Sequence, residues 1–389
     1  MKISDDVYWV GAIDWDLRNF HGYETPRGSS YNAYLITGER NVLIDTVKHS
    51  VVSQLRDRVA SVIDLEEVDL IVSNHTEMDH SASLKEMQRR TGARILASRR
   101  GVENLAEHYE DLEMEAVEDG QEISIGQRTL RFVETPMLHW PDSMFTYIVE
   151  DGILFSMDGF GQHWASGIRF DDQVDECTLM YEAAKYYANI LLPFGRKFLK
   201  VYEKVKDLEL NMIAPSHGII WRTKIGQIVE AYLRWARGET GNRVVIAYDT
   251  MWGSTKTMAE EIAEGVASKG VEVSVHRLKD TERSEVMTEV LEAGALLVGS
   301  PTINNCIFPQ VADFVEYMKG LRPKGRVGAA FGSYGWGGGA VRSLQDHMKK
   351  AGLIMLDGLQ VKYVPGEEDR EECFQLGEAV ADRLLERSK

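Results

Sequence analysis

The 389-residue chain reads as two domains of different class, an α+β or layered αββα sandwich followed by a doubly wound parallel α/β sheet. Three observations predict this. As far as residue 237, short apolar runs and a few helical stretches follow one another without regular alternation. The polar stretch Gly238-Glu239-Thr240-Gly241-Asn242 then reads as a linker. Beyond it, strand-length apolar runs and helical stretches alternate strictly, the rhythm of a parallel sheet covered by helices. The expected domains are therefore 1–240 and 241–389, each large enough for a full core.

In the first half, Tyr31–Ile36 and Asn41–Thr46 flank Thr37-Gly38-Glu39-Arg40 and read as a hairpin. Val68–Ser73 is an apolar run of strand length, followed by a histidine-rich turn and then by helical character over Ser83–Arg90. Further strands are expected at Arg131–Glu134 and Phe145–Val149, then before Asp158 and before His217. The apolar positions Ile225, Ile228, Val229, Tyr232, Leu233 and Ala236 recur at helical spacing up to the linker. In the second half, strands are expected at Val244–Tyr248, Val271–Leu278, Ala295–Gly299 and Arg326–Phe331. Helices are expected at Thr257–Ser268, Pro309–Lys319, Val341–Ala351 and about Glu371–Arg387.

Composition removes several classes of function. Lys plus Arg number 44 against 61 Asp plus Glu, a formal charge of −17, the opposite of the cationic surface that displaces counterions from nucleic acid. No apolar run reaches the roughly 20 residues that span a bilayer, so no membrane partner is expected. The first residues, Met1-Lys2-Ile3-Ser4-Asp5-Asp6, lack the apolar core of a signal peptide. Cys177, Cys306 and Cys373 are odd in number and far apart, which argues against a disulfide framework or a cysteine metal site and for a cytoplasmic location.

The densest chemistry is His75-Thr76-Glu77-Met78-Asp79-His80, four metal-capable side chains within six residues directly after an expected strand. A solvated loop would not need two imidazoles and two carboxylates together, whereas a metal site would. His139, Asp158 and His217 each follow or interrupt an apolar run, where side chains from different strands converge. His163 and His21 are expected to be supporting or pocket residues rather than ligands.

This pattern resembles the metallo-β-lactamase fold, whose hydrolase signature is His-x-His-x-Asp-His; here Glu77 stands at the second histidine. Three carboxylates and four imidazoles make a harder, more anionic site, better matched to two iron ions than to a zinc hydrolase centre. The resemblance narrows to the flavodiiron proteins (A-type flavoproteins), whose signature is His-x-Glu-x-Asp-His, and it extends over the full chain. It implies that His75, Glu77 and His139 bind one iron, Asp79, His80 and His217 the other, and that Asp158 bridges them.

In the second half, Thr250, Ser254, Thr255 and Thr257 place four hydroxyls in eight residues between a strand and a helix. Hydroxyls and backbone N–H groups at a helix N-terminus cradle a phosphate, and neither a Walker sequence nor GxGxxG is present. The loop, with Met251, Trp252 and Gly253, resembles the FMN phosphate loop of flavodoxins. Two more loops fall at strand C-terminal ends, where such folds bind ligands. Pro301, Thr302, Ile303, Asn304 and Asn305 offer amides to a flavin edge; Ser333, Tyr334, Gly335, Trp336, Gly337 and Gly338 offer aromatic faces and close backbone approach.

The resemblance implies an oxidoreductase in which FMN passes electrons to a di-iron centre that reduces dioxygen to water, nitric oxide to nitrous oxide, or both. With no rubredoxin-type CxxC pairs, an external donor is expected: rubredoxin or a reduced deazaflavin coenzyme. A head-to-tail homodimer or a dimer of dimers is implied, so that one subunit's FMN meets the other's irons. The competing readings are a metal-dependent hydrolase fused to a flavodoxin-like domain, and a non-enzymatic electron carrier.

Overall fold

The computed structural model describes residues 1–387. The chain divides into two compact units, one formed by Met1–His21, Thr25–Tyr186 and Arg196–Leu233, the other by Gly22–Glu24, Tyr187–Gly195 and the chain from Arg234 onwards. The short excursions at Gly22 and Tyr187 therefore pack with the second unit although they lie early in the sequence.

The first unit is built on two sheets. Seven strands lie side by side in chain order: β1 (Lys2–Ser4), β2 (Val7–Trp9), β3 (Tyr34–Ile36), β4 (Asn41–Ile44), β5 (Val68–Ser73), β6 (Arg94–Ser98) and β7 (Met114–Val117). Pairing is antiparallel up to β4 and parallel beyond it. The second sheet is β8 (Glu122–Ser124), β9 (Thr129–Glu134), β10 (Met144–Ile148), β11 (Ile153–Met157) and β12 (Met212–Pro215). Strand periodicity explains the layering. Leu70 and Val72 of β5 enter the core between the sheets with Phe132, Met144 and Phe155, while Ile71 packs outward with Leu55, Val59, Leu84 and Met87 of the covering helices.

The expected hairpin is present, with Ile36 opposite Val42, but its first strand is interrupted. Ser29–Tyr31 forms a separate short strand, because Asn32 leaves the ladder and its backbone N–H bonds to Ser216 O at 2.7 Å. The histidine-rich turn contains a short helix, Met78–Ser81.

The second unit is a parallel sheet of β13 (Gly241–Tyr248), β14 (Glu272–Arg277), β15 (Ala293–Gly299), β16 (Val327–Tyr334), β17 (Ile354–Met355) and β18 (Leu359–Lys362). Its order is β14-β13-β15-β16-β17, with β18 also on β16. Successive residues of β13 face opposite layers: Val245 and Ala247 meet one set of helices, Val244 and Ile246 the other. Several features depart from the sequence reading, the short strands β17 and β18 among them. The polar stretch ends earlier than expected, since Gly241 already pairs with Ala293. An additional helix covers Arg283–Glu292. No described helix is long and apolar enough to cross a membrane.

Candidate functional site

In the first unit, strand directions bring four loops to one edge of the sandwich. β11 and β12 run parallel, so Asp158 and His217 leave the sheet on the same side. β10 is antiparallel to both its neighbours, which puts the β9–β10 loop carrying His139 on that side too. The His75–His80 loop joins them through Met144 N–H bonded to Asn74 O at 3.0 Å.

All seven sequence-predicted residues converge there, in two groups. The ligand atoms of His75, Glu77, His139 and Asp158 lie within 4.8 Å of one another, as do those of Asp79, His80 and His217. Asp158 divides its carboxylate between them. Its Oδ2 lies 3.1 Å from His139 Nε2 and 3.6 Å from His75 Nε2; its Oδ1 lies 3.3 Å from His80 Nε2 and 3.5 Å from His217 Nε2. Glu77 Oε2 closes the first group at 3.2 Å from both His75 Nε2 and His139 Nε2. Asp79 Oδ2 closes the second, 3.3 Å from His80 Nε2 and 3.2 Å from His217 Nε2.

These separations are those of atoms sharing a metal. Nitrogen and oxygen ligands each about 2.1 Å from one ion stand roughly 3 Å apart along the edges of its coordination shell. Both Asp79 oxygens and both His80 nitrogens are buried and make no aligned hydrogen bond. Buried polar atoms are otherwise hydrogen-bonded; a cation facing Asp79 Oδ2 and His80 Nε2 would satisfy those two atoms. The set is all nitrogen and oxygen with three carboxylates, which fits a pair of hard to borderline cations such as iron.

Surrounding groups fix the rings. His75 Nδ1 faces Asp142 Oδ2 at 3.2 Å, and the same carboxylate accepts from Thr76 N–H at 2.8 Å and Asn104 Nδ2 at 3.1 Å. His217 Nδ1 donates to Ser30 O at 2.8 Å, and Ser216 Oγ donates to Asp158 Oδ1 at 2.8 Å. Asp45 accepts from Asn74 N–H and Nδ2 beneath the ligand loop, and burial holds its carboxyl above the usual range. For His75 and His217 the nitrogen turned inward, Nε2, is the one left for a metal.

Electrostatics express the same design. Burial disfavours charge on His75, but Asp142, Glu77 and Asp158 outweigh it and lift the imidazole to about 10. His139 rises to about 10 against its burial through Asp158 and Glu77, and His80 to about 9 through Asp79 and Asp158. Burial raises Glu77 and Asp158, yet the facing imidazoles hold both well below the carboxylate range. A metal ion bound there would displace the protons these imidazoles favour.

His163 stands beside the centre rather than in it. It is buried, its Nδ1 is 2.8 Å from Ser29 Oγ, and its ring lies 4.9 Å from that of His217. Burial and then the His217 charge keep it far below the usual histidine range, hence neutral. His21 is three-quarters exposed with Nε2 3.4 Å from Glu77 Oε1.

In the second unit, a cavity of about 630 Å³ opens at the C-terminal ends of β13, β15 and β16. Its lining includes Met251, Trp252 and Ser254 of the hydroxyl-rich loop, Pro301–Asn305, and Ser333–Gly337. The volume falls within the range of cofactor sites. Gly253 (φ +95°) precedes the helix Ser254–Ser268, whose first N–H groups open into the loop. Thr250, Gly253, Thr255 and Gly338 do not line the cavity; they shape it. Thr250 Oγ accepts from Gly253 N–H at 3.0 Å, and Thr255 Oγ lies 3.2 Å from Ser333 Oγ. At Gly339 an added Cβ would stand 2.3 Å from Asn305 O, so the second and third loops touch through bare backbone. The cavity thus offers a phosphate cradle at one end and aromatic and amide surfaces beyond it, a fit to FMN.

Sequence reasoning missed Tyr363 and Val364, which complete the lining after β18. The short strand before Pro365 was the available signal. It also missed Asp142 and Ser30, residues of ordinary appearance that matter only through what the fold sets beside them.

Two family models match the chain, one described as ODP family beta lactamase over residues 30–218 and one as Flavodoxin over residues 246–377. A nitric oxide reductase of Moorella thermoacetica is 46% identical, with 99% of each chain covered. Among solved structures, the rubredoxin oxygen:oxidoreductase of Desulfovibrio gigas superposes with a TM-score of 0.97 at 39% identity, covering 99% of this chain and 98% of that one. The flavodiiron protein of Giardia intestinalis gives 0.96 at 35% identity, covering 99% and 96%.

Proposed function

The chain belongs to the flavodiiron protein family, and from that premise we propose how its two sites work together. It is an oxidoreductase with FMN and a di-iron centre, taking electrons from an external donor and delivering them to dioxygen, forming water, to nitric oxide, forming nitrous oxide, or to both. When bound, the flavin supplies electron transfer and the iron pair supplies binding and reduction of the diatomic substrate.

In this reading His75, Glu77 and His139 hold one iron, Asp79, His80 and His217 the other, and Asp158 joins them. The observation that carries it is the division of Asp158, one oxygen to each ligand group. Asp142 and Ser30 O orient His75 and His217, and the low-lying pKa values of Glu77 and Asp158 keep both anionic at neutral pH. Glu77 at the position of a hydrolase histidine adds anionic charge, which favours redox-active iron over hydrolytic zinc.

The donor is rubredoxin or a reduced deazaflavin coenzyme; Cys177, Cys306 and Cys373 form no pair that would hold a rubredoxin iron in this chain. The domains join between residues 240 and 241, and the protein works in the cytoplasm. A head-to-tail homodimer, alone or paired into a dimer of dimers, covers the flavin mouth. Trp252 and Trp336, 94% and 95% exposed at that mouth, support such a covering surface. Iron and FMN quantification, with stopped-flow mixing of reduced protein against each gas, tests the proposal. Two zinc ions per chain with thioester or lactam hydrolysis would establish the hydrolase instead.

A further inference from the structure

His217 is steadied by main chain, through Ser30 O, whereas His75 is backed by the Asp142 carboxylate. The place of that carbonyl depends on how Ser30–Asn32 docks against Pro215–Gly218, the loop that carries His217. Asn32 makes the docking. It is fully buried, and its amide uses all of its hydrogen-bonding positions. Oδ1 accepts from Trp9 Nε1 at 2.8 Å and Ser30 Oγ at 2.9 Å; Nδ2 donates to Pro215 O at 2.9 Å and Gly218 O at 3.1 Å. Because the indole can only donate, the amide orientation is fixed, with its N–H groups towards the loop. The Asn32 backbone N–H adds a bond to Ser216 O at 2.7 Å, and Gly218 N–H bonds Ser30 Oγ at 2.8 Å. The loop is thus gripped on both sides of His217.

We propose that Asn32 is a positioning residue for one metal ion of the pair, setting the affinity for the ion held by Asp79, His80 and His217 and leaving the other ion nearly untouched. The inference rests on the two-metal reading above. His75, Glu77 and His139 stand on loops that Asn32 does not contact through its side chain. Outer groups that orient a ligating imidazole govern metal affinity even though they never touch the ion.

The test is anaerobic titration of the metal-free, FMN-loaded full chain with Fe(II), read as uptake of each equivalent by equilibrium dialysis. Asn32→Asp is isosteric, keeps the acceptor towards Trp9 and Ser30, and turns an oxygen onto the carbonyls of Pro215 and Gly218. The first equivalent is expected to bind as in the wild type, and the second about 10- to 100-fold more weakly. Ser30→Ala, which removes the Gly218 bond and one of the two bonds to Asn32 Oδ1, shifts the second equivalent in the same direction by less. Trp9→Phe, which leaves the loop bonds in place, keeps both. Near-ultraviolet circular dichroism and retained FMN report folding.

If Asn32→Asp does not fold, Ser30→Ala carries the test, and an unchanged second equivalent there overturns the proposal. So does equal weakening of both equivalents in Asn32→Asp, wild-type binding of both, or loss of the second in Trp9→Phe to the same extent. A wild-type chain that takes up only one equivalent overturns the two-metal reading itself.

Discussion

Asp158 is the residue shared by both candidate ligand groups, because its two oxygens face different imidazole pairs. Asp158→Asn keeps the shape but puts an amide where one group needs an anion. Iron content should fall from two per chain to one or none, and gas reduction by roughly 100-fold or more; metal analysis and single-turnover rates check this. Protonation gives a second prediction. His75, His80 and His139 are raised from 6.5 to about 10, 9 and 10. A raised folded-state value stabilises below the unfolded value and loses that contribution as pH climbs through the folded one. Metal-free protein should therefore lose thermal stability progressively between about pH 6.5 and 10, and also in acid, where depressed Glu77 and Asp158 become protonated. The same imidazoles release protons when Fe(II) binds at pH 7, seen by calorimetry in buffers of differing ionisation enthalpy. The ligand candidates stood out in the sequence because paired imidazoles and carboxylates are rare at such density. Asp142, Ser30 and Asn32 did not, since one Asp, Ser or Asn carries no signal until folding sets it behind a ring.

At the scale of elements, the flavin cavity depends on loops that approach through backbone. Gly339→Ala would drive a Cβ into Asn305 O, and since the obstacle is main chain the Pro301–Asn305 loop must move. FMN affinity should fall at least about ten-fold, read by flavin fluorescence, with iron content unchanged because the candidate ligands lie in the other unit. Legibility varied for physical reasons. Val68–Ser73, fully apolar at its core, was readable to the residue because nothing but a buried strand suits so short a run. The helix Arg283–Glu292 was not, since Ser284 and Thr288 occupy its buried face and blur the apolar period. The start of β13 was misread as linker because strand pairing of Gly241 with Ala293 overrides the turn preference of Gly and Asn.

At the scale of the molecule, the flavin cavity and the metal-ligand cluster belong to separate compact units of one chain. If a head-to-tail homodimer carries the electrons, gas reduction per chain should decline on dilution below the dimer dissociation constant while FMN and iron stay bound, with light scattering giving the mass. The two-domain order was legible from rhythm alone, because a doubly wound sheet imposes alternation along the sequence. The excursions of Gly22–Glu24 and Tyr187–Gly195 into the second unit were not, because packing partners distant in sequence leave no local trace. Electrons leave the flavin through the metal pair. Fully reduced protein, loaded with iron or depleted of it, is mixed anaerobically with dioxygen and with nitric oxide while flavin absorbance and gas are followed together. Flavin reoxidation matched to gas consumption in the iron-loaded protein, and slowed at least about 100-fold without iron, is the predicted result. Equal reoxidation with and without iron would contradict it.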